Sequence, residues 1–452
     1  MNKKEEYVAA IDIGTTKIVS IVGTRNESGR IEILGLSRAP SHGVKKGVVL
    51  NIEETVNAIS TTVEDVKKRS GIDFTEVFVG IAGQHIKSMK SRGYIMRDNY
   101  DDEITREEVF RLIEDMHKIH IDIGEEIIHV IPQNFIVDNE TGVKSPIGMC
   151  GRRLEANFHI VIGQVAAARN IEKCVRKAGL TVKDMILEPL ASSEACLTDD
   201  EKEAGVALVD IGGGTTDIAV FYDNIIRHTA VIPFGGNVIT NDIKEGCGIL
   251  HRYAEQLKIQ YGSALGDLAP DDKVVSIPGI SGREPKEISF KSLAYIIQSR
   301  MEEIIDAIIF EIQNSGYSDK LAAGMVITGG GAMLKHLPQL IQFKTGMDVR
   351  VGLPNEHLAG PGKDEINQPM YATSVGLIMK GFEFLDTYHK KFTAGKKGDF
   401  VISEKANVSN YGSDEDAMET VESGQHEERV SLTDKLKALL SRMFEIEDQS
   451  IN

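Results

Sequence analysis

No stretch of this chain approaches the ~18–20 uninterrupted apolar residues of a bilayer-spanning helix, so no transmembrane helix is expected. An apolar leader is missing too. Met1 to Glu6 are mostly polar and charged and run straight into a strand pattern. Cysteine is scarce: Cys150, Cys174, Cys196 and Cys247 include no C-x-x-C pair. That excludes zinc-site spacing and a disulfide framework, and the expected setting is a reducing, cytoplasmic one. Positive charge is in deficit, with 51 Lys and Arg against 68 Asp and Glu, for a net charge of −17. Such a chain repels phosphate backbones, so no nucleic-acid partner is expected. Proline is sparse beside glycine, 12 against 43, which favours tight turns and backbone–ligand contacts over a coiled coil. What is present is ordinary for a soluble globular protein, 41% hydrophobic and 26% charged, with room in 452 residues for two to four domains.

Two segments about two hundred residues apart resemble each other. Ala10-Ile11-Asp12-Ile13-Gly14-Thr15-Thr16-Lys17-Ile18 and Val209-Asp210-Ile211-Gly212-Gly213-Gly214-Thr215-Thr216-Asp217-Ile218 both read as strand, Gly/Thr turn, strand. The duplication implies two lobes of similar build facing one another. Between the copies, apolar spacing predicts helices over 52–70, 107–120 and 166–178, and strands over 127–137, 158–162 and 182–187. Past the second copy, helices are expected over 237–246, 251–260 and 290–314. A strand at Met325 to Thr328 then enters Gly329-Gly330-Gly331. The folded body is expected to end near Thr387.

A Gly/Thr turn between strands lines up backbone N–H groups and hydroxyls, a nest for phosphate oxygens. Asp12 or Asp210, just before each turn, cannot bind phosphate directly but can hold a hydrated Mg²⁺ that bridges to it. One such turn is usually an ordinary hairpin; two related copies point to a polyphosphate clamp. In Leu187-Glu188-Pro189-Leu190-Ala191-Ser192, Pro189 suits the first turn of a helix. Glu188 is either a favourable acid at a helix start or a group that orients a water against the terminal phosphate, and the residues alone leave both open. The run Gly329–Gly331, followed by Ala332 and Met333, fits either a loose turn or close approach of a flat ligand such as adenine. The ligand reading is favoured, because three glycines cost chain entropy without a visible structural return.

In this order the motifs resemble the actin/Hsp70/sugar-kinase superfamily over about residues 6–387. Asp12 to Lys17 looks like its first phosphate motif, with Gly14, Thr15, Thr16 and Lys17 as contacts. Asp210 to Asp217 looks like the second, with Gly212, Gly213, Gly214, Thr215 and Thr216. Glu188 to Ser192 resembles the connecting segment, and Thr328 to Met333 the adenosine motif. Ala254-Glu255-x-x-Lys258 resembles the ribose- and adenine-contacting helix, which implies roles for Glu255 and Lys258. Within the superfamily the chain resembles the FtsA family of bacterial division proteins. Gly80-Ile81-Ala82-Gly83, Ile131-Pro132-Gln133 and Pro146-x-Gly148-Met149-x-Gly151-x-Arg153-Leu154-Glu155 are similar to that family's inserted subdomain, called 1C. Val231-Ile232-Pro233-Phe234-Gly235-Gly236 with Ile239-Thr240-x-Asp242-Ile243 is similar to its segment after the second phosphate motif.

The resemblance implies an α/β, two-lobed actin-like ATPase fold of duplicated ribonuclease-H-like domains, with an inserted 1C (SHS2-type) subdomain. The implied boundaries are 1A at 6–84 and 164–203, 1C at 85–163, 2A at 204–236 and 315–368, 2B at 237–314, and a return helix at 369–388. It also implies ATP and Mg²⁺ as ligands with at most slow hydrolysis, Glu188, Asp12 and Asp210 as catalytic groups, and self-assembly into filaments. The implied partners are the tubulin-like GTPase FtsZ, later division proteins, and lipid at the inner face of the cell membrane. Rivals of the same fold are a pilus-assembly actin-like protein, a chaperone and a sugar kinase. A chaperone needs a substrate domain after the nucleotide domain, where here only about 65 mostly polar residues follow. No sugar-kinase base can be placed.

The tail has its own physics. Tyr411 to Glu428 carries seven acids and no Lys or Arg, and 389–430 reads as a disordered acidic linker. Then Leu432, Leu436, Leu439, Leu440 and Met443, adjoined by Phe444, form one apolar stripe flanked by Lys435, Lys437 and Arg442. A helix over 431–444 would be marginal alone in water and needs something to lie on, a membrane above all.

Overall fold

The computed structural model describes residues 6–98, 101–279, 284–360 and 363–394. By its contacts the chain divides into two units, Met1–Phe382 and Glu383–Asn452. Of the second, only the C-terminal part of a helix, α11 (Ala372–Ala394), is described. This helix runs past residue 388, where the linker was expected to start. The acidic composition behind that expectation begins only at Tyr411, and His389 to Ala394 contain no helix breaker. The remainder of 389–430 and the amphipathic segment with Leu432, Lys435, Leu436, Lys437, Leu439, Leu440, Arg442, Met443 and Phe444 lie outside the described residues.

Two sheets organise the first unit. The first holds β1 (Tyr7–Ile13), β2 (Lys17–Arg25), β3 (Ile31–Pro40), β6 (Glu76–Ile81), β11 (Thr181–Leu187) and β19 (Leu358–Ala359), in the order β11-β6-β1-β2-β3-β19. The second holds β12 (Val206–Ile211), β13 (Thr216–Tyr222), β14 (Ile225–Ile232), β17 (Met325–Thr328) and β18 (Val349–Val351), in the order β14-β13-β12-β17-β18. Their plans coincide. A strand pairs antiparallel with the next, which pairs antiparallel with a third, while two later strands add in parallel on the other side. The duplicated motif seen in the sequence is thus a duplicated sheet.

The strands are near-continuous apolar runs because both faces are covered. Every residue of β12 is buried. On the first sheet, α1 (Ile52–Ser70) inserts Ile59, Val63 and Val66, and α3 (Val165–Lys177) inserts Ile171 and Val175. On the second, α6 (Gly236–Cys247), α7 (His251–Tyr261), α8 (Phe290–Ser315) and α9 (Leu337–Thr345) contribute Ile243, Leu257, Ile304 and Leu340 to one core. The short helices α4 (Glu188–Cys196) and α5 (Asp199–Ala204) connect the sheets, and α10 (Lys363–Ile366) precedes α11. Two small hairpins, β4 (Val44–Lys45) with β5 (Val48–Val49) and β15 (Val274–Ile277) with β16 (Lys286–Ser289), complete the described strands.

Between β6 and α3 the chain leaves the first sheet and builds another. β7 (Ile86–Met96), β8 (Glu125–Val137), β9 (Glu140–Val143) and β10 (Arg153–Gln164) pair in the order β7-β10-β8-β9. The helix α2 (Arg106–Met116) covers them and starts at a capping box in which Thr105 and Glu108 satisfy each other's backbone N–H groups. This insert docks on the edge strand of the second sheet. Ser88 Oγ donates to Thr229 O (2.9 Å) and Gln133 Nε2 to Ile226 O (2.7 Å).

Candidate functional site

The two Gly/Thr turns meet face to face. A Cβ on Gly214 would lie 2.5 Å from Thr15 Oγ1, and one on Gly213 would overlap the Thr16 side chain. Glycine at these positions is therefore what allows the hairpins of the two sheets to close on each other. Gly14 and Lys17 complete the first turn, where Gly47 N–H donates to Thr15 Oγ1 at 3.2 Å, leaving the Thr15 proton free to point elsewhere. In the second, Gly236 N–H donates to Gly212 O (2.9 Å), Asn237 N–H to Gly213 O (2.8 Å) and Thr216 Oγ1 to Phe234 O (2.9 Å). The Val231–Gly236 segment thus holds the turn in place.

Behind the turns sit Asp12 and Asp210, both buried. Helices α4 and α11 cross where a Cβ on Gly376 would collide with the Ala191 backbone, and this close crossing puts three hydroxyls beside the carboxylates. Ser374 Oγ donates to Asp12 Oδ2 (3.1 Å), while Ser192 Oγ (2.8 Å) and Thr373 Oγ1 (3.1 Å) donate to Asp210 Oδ2. Glu188, at the first position of α4, is partly buried against β6, where a Cβ on Gly80 would sit 3.0 Å from its Oε1. A fourth acid, Asp217, is buried on β13 directly across from Asp210. Its Oδ2 accepts from Thr215 Oγ1 (3.0 Å) and its Oδ1 has no partner.

Burial raises the pKa of all four acids. The carboxyl of Glu188 is pushed well above its ordinary range by burial and then by Asp12, Asp217 and Asp210. Asp217 is raised to about 8 by burial and Asp210. Asp12 and Asp210 are raised by burial, with Lys17 opposing. Four acids share one site with Lys17 as the neighbouring cation, an arrangement that favours added positive charge. Among the described residues no three His, Cys, Asp or Glu side chains sit close enough to hold a metal ion directly. A cation seated here would keep most of its water shell, with the carboxylates holding those waters or taking at most one or two positions themselves. The acid cluster and the orphaned Asp217 Oδ1 fit a hydrated Mg²⁺ carried in with a polyphosphate.

Glu255 and Lys258, on one face of α7, reach the same place. Lys258 Nζ donates to Gly236 O (2.9 Å) and Thr240 Oγ1 (2.8 Å) and pairs with Glu255, whose carboxylate also accepts from Thr240. The triple glycine divides in two. Gly329, at φ 82°, and Gly331 are packed on the end of β12, where Cβ atoms would come within 2.6 Å of Ile211 O and 2.8 Å of Ile211 Cβ respectively. Gly330 faces open space, with nothing within 4 Å of a Cβ. Two of the three glycines therefore do have a structural return, and Gly330 alone of the three has open space where a side chain would go. Ala332 is buried and Met333 exposed in the turn that follows.

Sequence reasoning missed Asp217, Thr373, Ser374 and Gly80 as parts of this site. Asp217 had a signal, since it stands in the second copy where the first has Lys17. Thr373 and Ser374 had none, because only the helix crossing brings them to the aspartates.

Two duplicated sheets closed around paired hairpin turns make this an actin-like fold, and solved structures share it. The PilM–PilN type IV pilus biogenesis complex matches with a TM-score of 0.59 at 15% identity, over 83% of this chain and 98% of that one. MreB 5 of Spiroplasma citri bound to AMPPNP matches with 0.52 at 13% identity, over 86% and 99%. Residues 207–376 match the family model described as cell division protein FtsA, and residues 83–162 the one described as the SHS2 domain inserted in FtsA. The cell division protein FtsA of Pseudomonas aeruginosa is 41% identical over 379 residues, 84% of this chain and 90% of that protein. The chain belongs to the FtsA family of cell division proteins.

Proposed function

We propose that this division protein binds ATP with Mg²⁺ between the paired hairpins, assembles into filaments, and tethers FtsZ polymers to the cytoplasmic face of the cell membrane while recruiting later division proteins. The observation that carries the nucleotide reading is the turn-to-turn closure of Gly14–Thr16 on Gly212–Thr215 over four clustered acids. In this reading Thr15, Thr16, Thr215, Thr216 and the turn backbones hold phosphate oxygens, and Lys17 neutralises one of them. Asp12 and Asp210, each fixed by hydroxyl donors, orient the water shell of the cation. Bound Mg²⁺ supplies the positive charge that the acid cluster and the phosphates both need. Glu188, beside Asp12 and Asp210, orients the attacking water, and the raised carboxyls around it suit slow turnover. Gly330 admits the adenine, while Glu255 and Lys258 face the ribose side.

The subdomain boundaries 6–84, 85–163, 164–203, 204–236, 237–314, 315–368 and 369–388 belong to this proposal, with the insert serving filament or partner contacts. Family membership favours a division role over the pilus-assembly alternative.

Membrane attachment rests on the sequence of 431–444. A helix there would be about 21 Å long at 1.5 Å per residue, too short for the ~30 Å hydrocarbon core, and would have to lie in the interface. Six apolar side chains, partly buried, give several kcal/mol less the ordering cost, which means reversible binding strengthened by assembly. Among the described residues no helix is long and apolar enough to cross a membrane. The test is co-sedimentation with anionic vesicles. Wild type with ATP should pellet and carry FtsZ with it, and Leu436→Glu with Leu440→Glu should leave both in the supernatant. A double variant that pellets as well as wild type would show that the anchor is elsewhere.

A further inference from the structure

Away from the hairpins, the junction between the insert and the second sheet forms a half-open cavity of roughly 410 Å³. Its walls come from five pieces of chain: β7, β8 and β10 of the insert, β14 of the second sheet, and Tyr317 just after α8. The size is that of a small-molecule site, within the usual range of ~300–1,000 Å³.

The lining is one-signed. Lys90, Arg92 and Arg227 bring three cations, and Gln133, Asn134 and Asn157 bring three amides. No carboxylate lines it. The acids that pair with these cations lie outside the cavity: Glu155 with Arg92 at 2.5 Å, and Asp223 with Arg227 at 3.8 Å. Lys90 Nζ donates to a carbonyl, Ser315 O, at 3.4 Å. A cavity that existed only because two surfaces pack imperfectly would have no reason to collect donors of one sign from both partners.

One side chain points more directly to a ligand. His159 lines the cavity and is 1% exposed. Its Nε2 is 2.9 Å from Thr229 Oγ1, whereas its Nδ1 is buried with no partner. Burial, then His228 and Lys90, hold the ring neutral by lowering its pKa to about 4. Whichever ring nitrogen carries the proton, the Thr229 hydroxyl satisfies Nε2 and leaves Nδ1 with an unmet hydrogen bond. An orphaned buried polar atom is costly, and a bound hydrogen-bond partner would recover that cost.

We propose that this cavity binds a small phosphorylated molecule, whose tetrahedral oxyanion takes donors from the insert and from β14 together. Lys90 and the Arg227 guanidinium bring charge. Arg227 Nε and Nη1, Gln133 Nε2 and Asn157 Nδ2 already donate to Tyr222 O, Gln133 O, Ile226 O and Asn134 Oδ1, so each group would offer the ligand its second N–H. The Tyr317 ring, 5.8 Å from Arg227, walls one side. Such a ligand would fasten the insert to the second sheet. It would do so without touching the paired hairpins, whose residues are not among the lining.

The probe is inorganic pyrophosphate, added to the full chain with Mg²⁺ and a non-hydrolysable ATP analogue already present to fill the hairpin site. Hydrogen-exchange mass spectrometry should show added protection in peptides covering 86–96, 153–164 and 225–232. Calorimetry should give one binding event that Lys90→Glu and Asn157→Asp each weaken by about tenfold or more, the scale of losing one charge-assisted contact. Lys90 is exposed, so its variant should fold, and the melting curve without pyrophosphate checks this for both. Two results overturn the proposal. One is protection absent or confined to residues 12–17 and 212–217. The other is affinity unchanged in both folded variants.

Discussion

Replacing Gly330 and Gly331 separately tests the nucleotide reading within two adjacent residues. A Cβ on Gly331 would meet Ile211 Cβ at 2.8 Å, and Ile211 is fully buried at the end of β12. The Ile211 side chain has no space to retreat into, so Gly331→Ala should overpack the core and cost about 1–3 kcal/mol. A Cβ on Gly330 meets nothing within 4 Å. Gly330→Leu should therefore leave stability within about 0.5 kcal/mol of wild type, as at an ordinary surface site. Its effect should fall on the ligand. Forcing adenine against four extra carbons costs at least what overpacking costs in a core, so ATP affinity should fall about 10–100-fold. Thermal unfolding without nucleotide and calorimetry with Mg-ATP separate the two outcomes. A Gly330→Leu protein that binds ATP as wild type does would remove the adenosine assignment. An unchanged melting temperature in Gly331→Ala would show that the packing argument at β12 is wrong.

Other expectations follow from the acid cluster. Asp217 has its pKa raised from 3.8 to about 8, so the folded state holds its proton where the unfolded chain has lost it. Its contribution to stability is full below about pH 4 and is lost progressively up to about pH 8, so the nucleotide-free protein should weaken over that window and Asp217→Asn should flatten the trend. For the same reason Mg-ATP binding at pH 7 should release protons, read as a dependence of calorimetric heat on buffer ionisation enthalpy; identical heats in all buffers would contradict the raised carboxyls. Glu188→Ala removes the group that orients the water, so phosphate release should drop about 100-fold with ATP affinity within a few-fold of wild type. Equal release rates would leave Glu188 as a helix-start acid only.

How much of this was legible beforehand depends on the range of the interactions. The helix 52–70 and the strand 325–328 were expected with the bounds observed, because apolar spacing is a local signal. The insert's helix was expected over 107–120 but ends at Met116, where Lys118 to Ile121 carry no pattern strong enough to mark the stop. The hairpin turns were readable because each is a short motif and because the chain contains it twice.

Duplication also implied two sheets of similar plan, each carrying a Gly/Thr turn. Local order, helix spacing and motif grammar are written in neighbouring residues, and those the sequence determined by itself. Which glycine of Gly329–Gly331 is spare, and that Thr373 and Ser374 hold Asp210 and Asp12, were decided by packing between segments far apart in the chain. The elevated carboxyls of Glu188 and Asp217 belong to the same class. An acid's pKa depends on what surrounds it in three dimensions, and Glu188 meets Asp12, Asp210 and Asp217 only after two sheets have closed on each other.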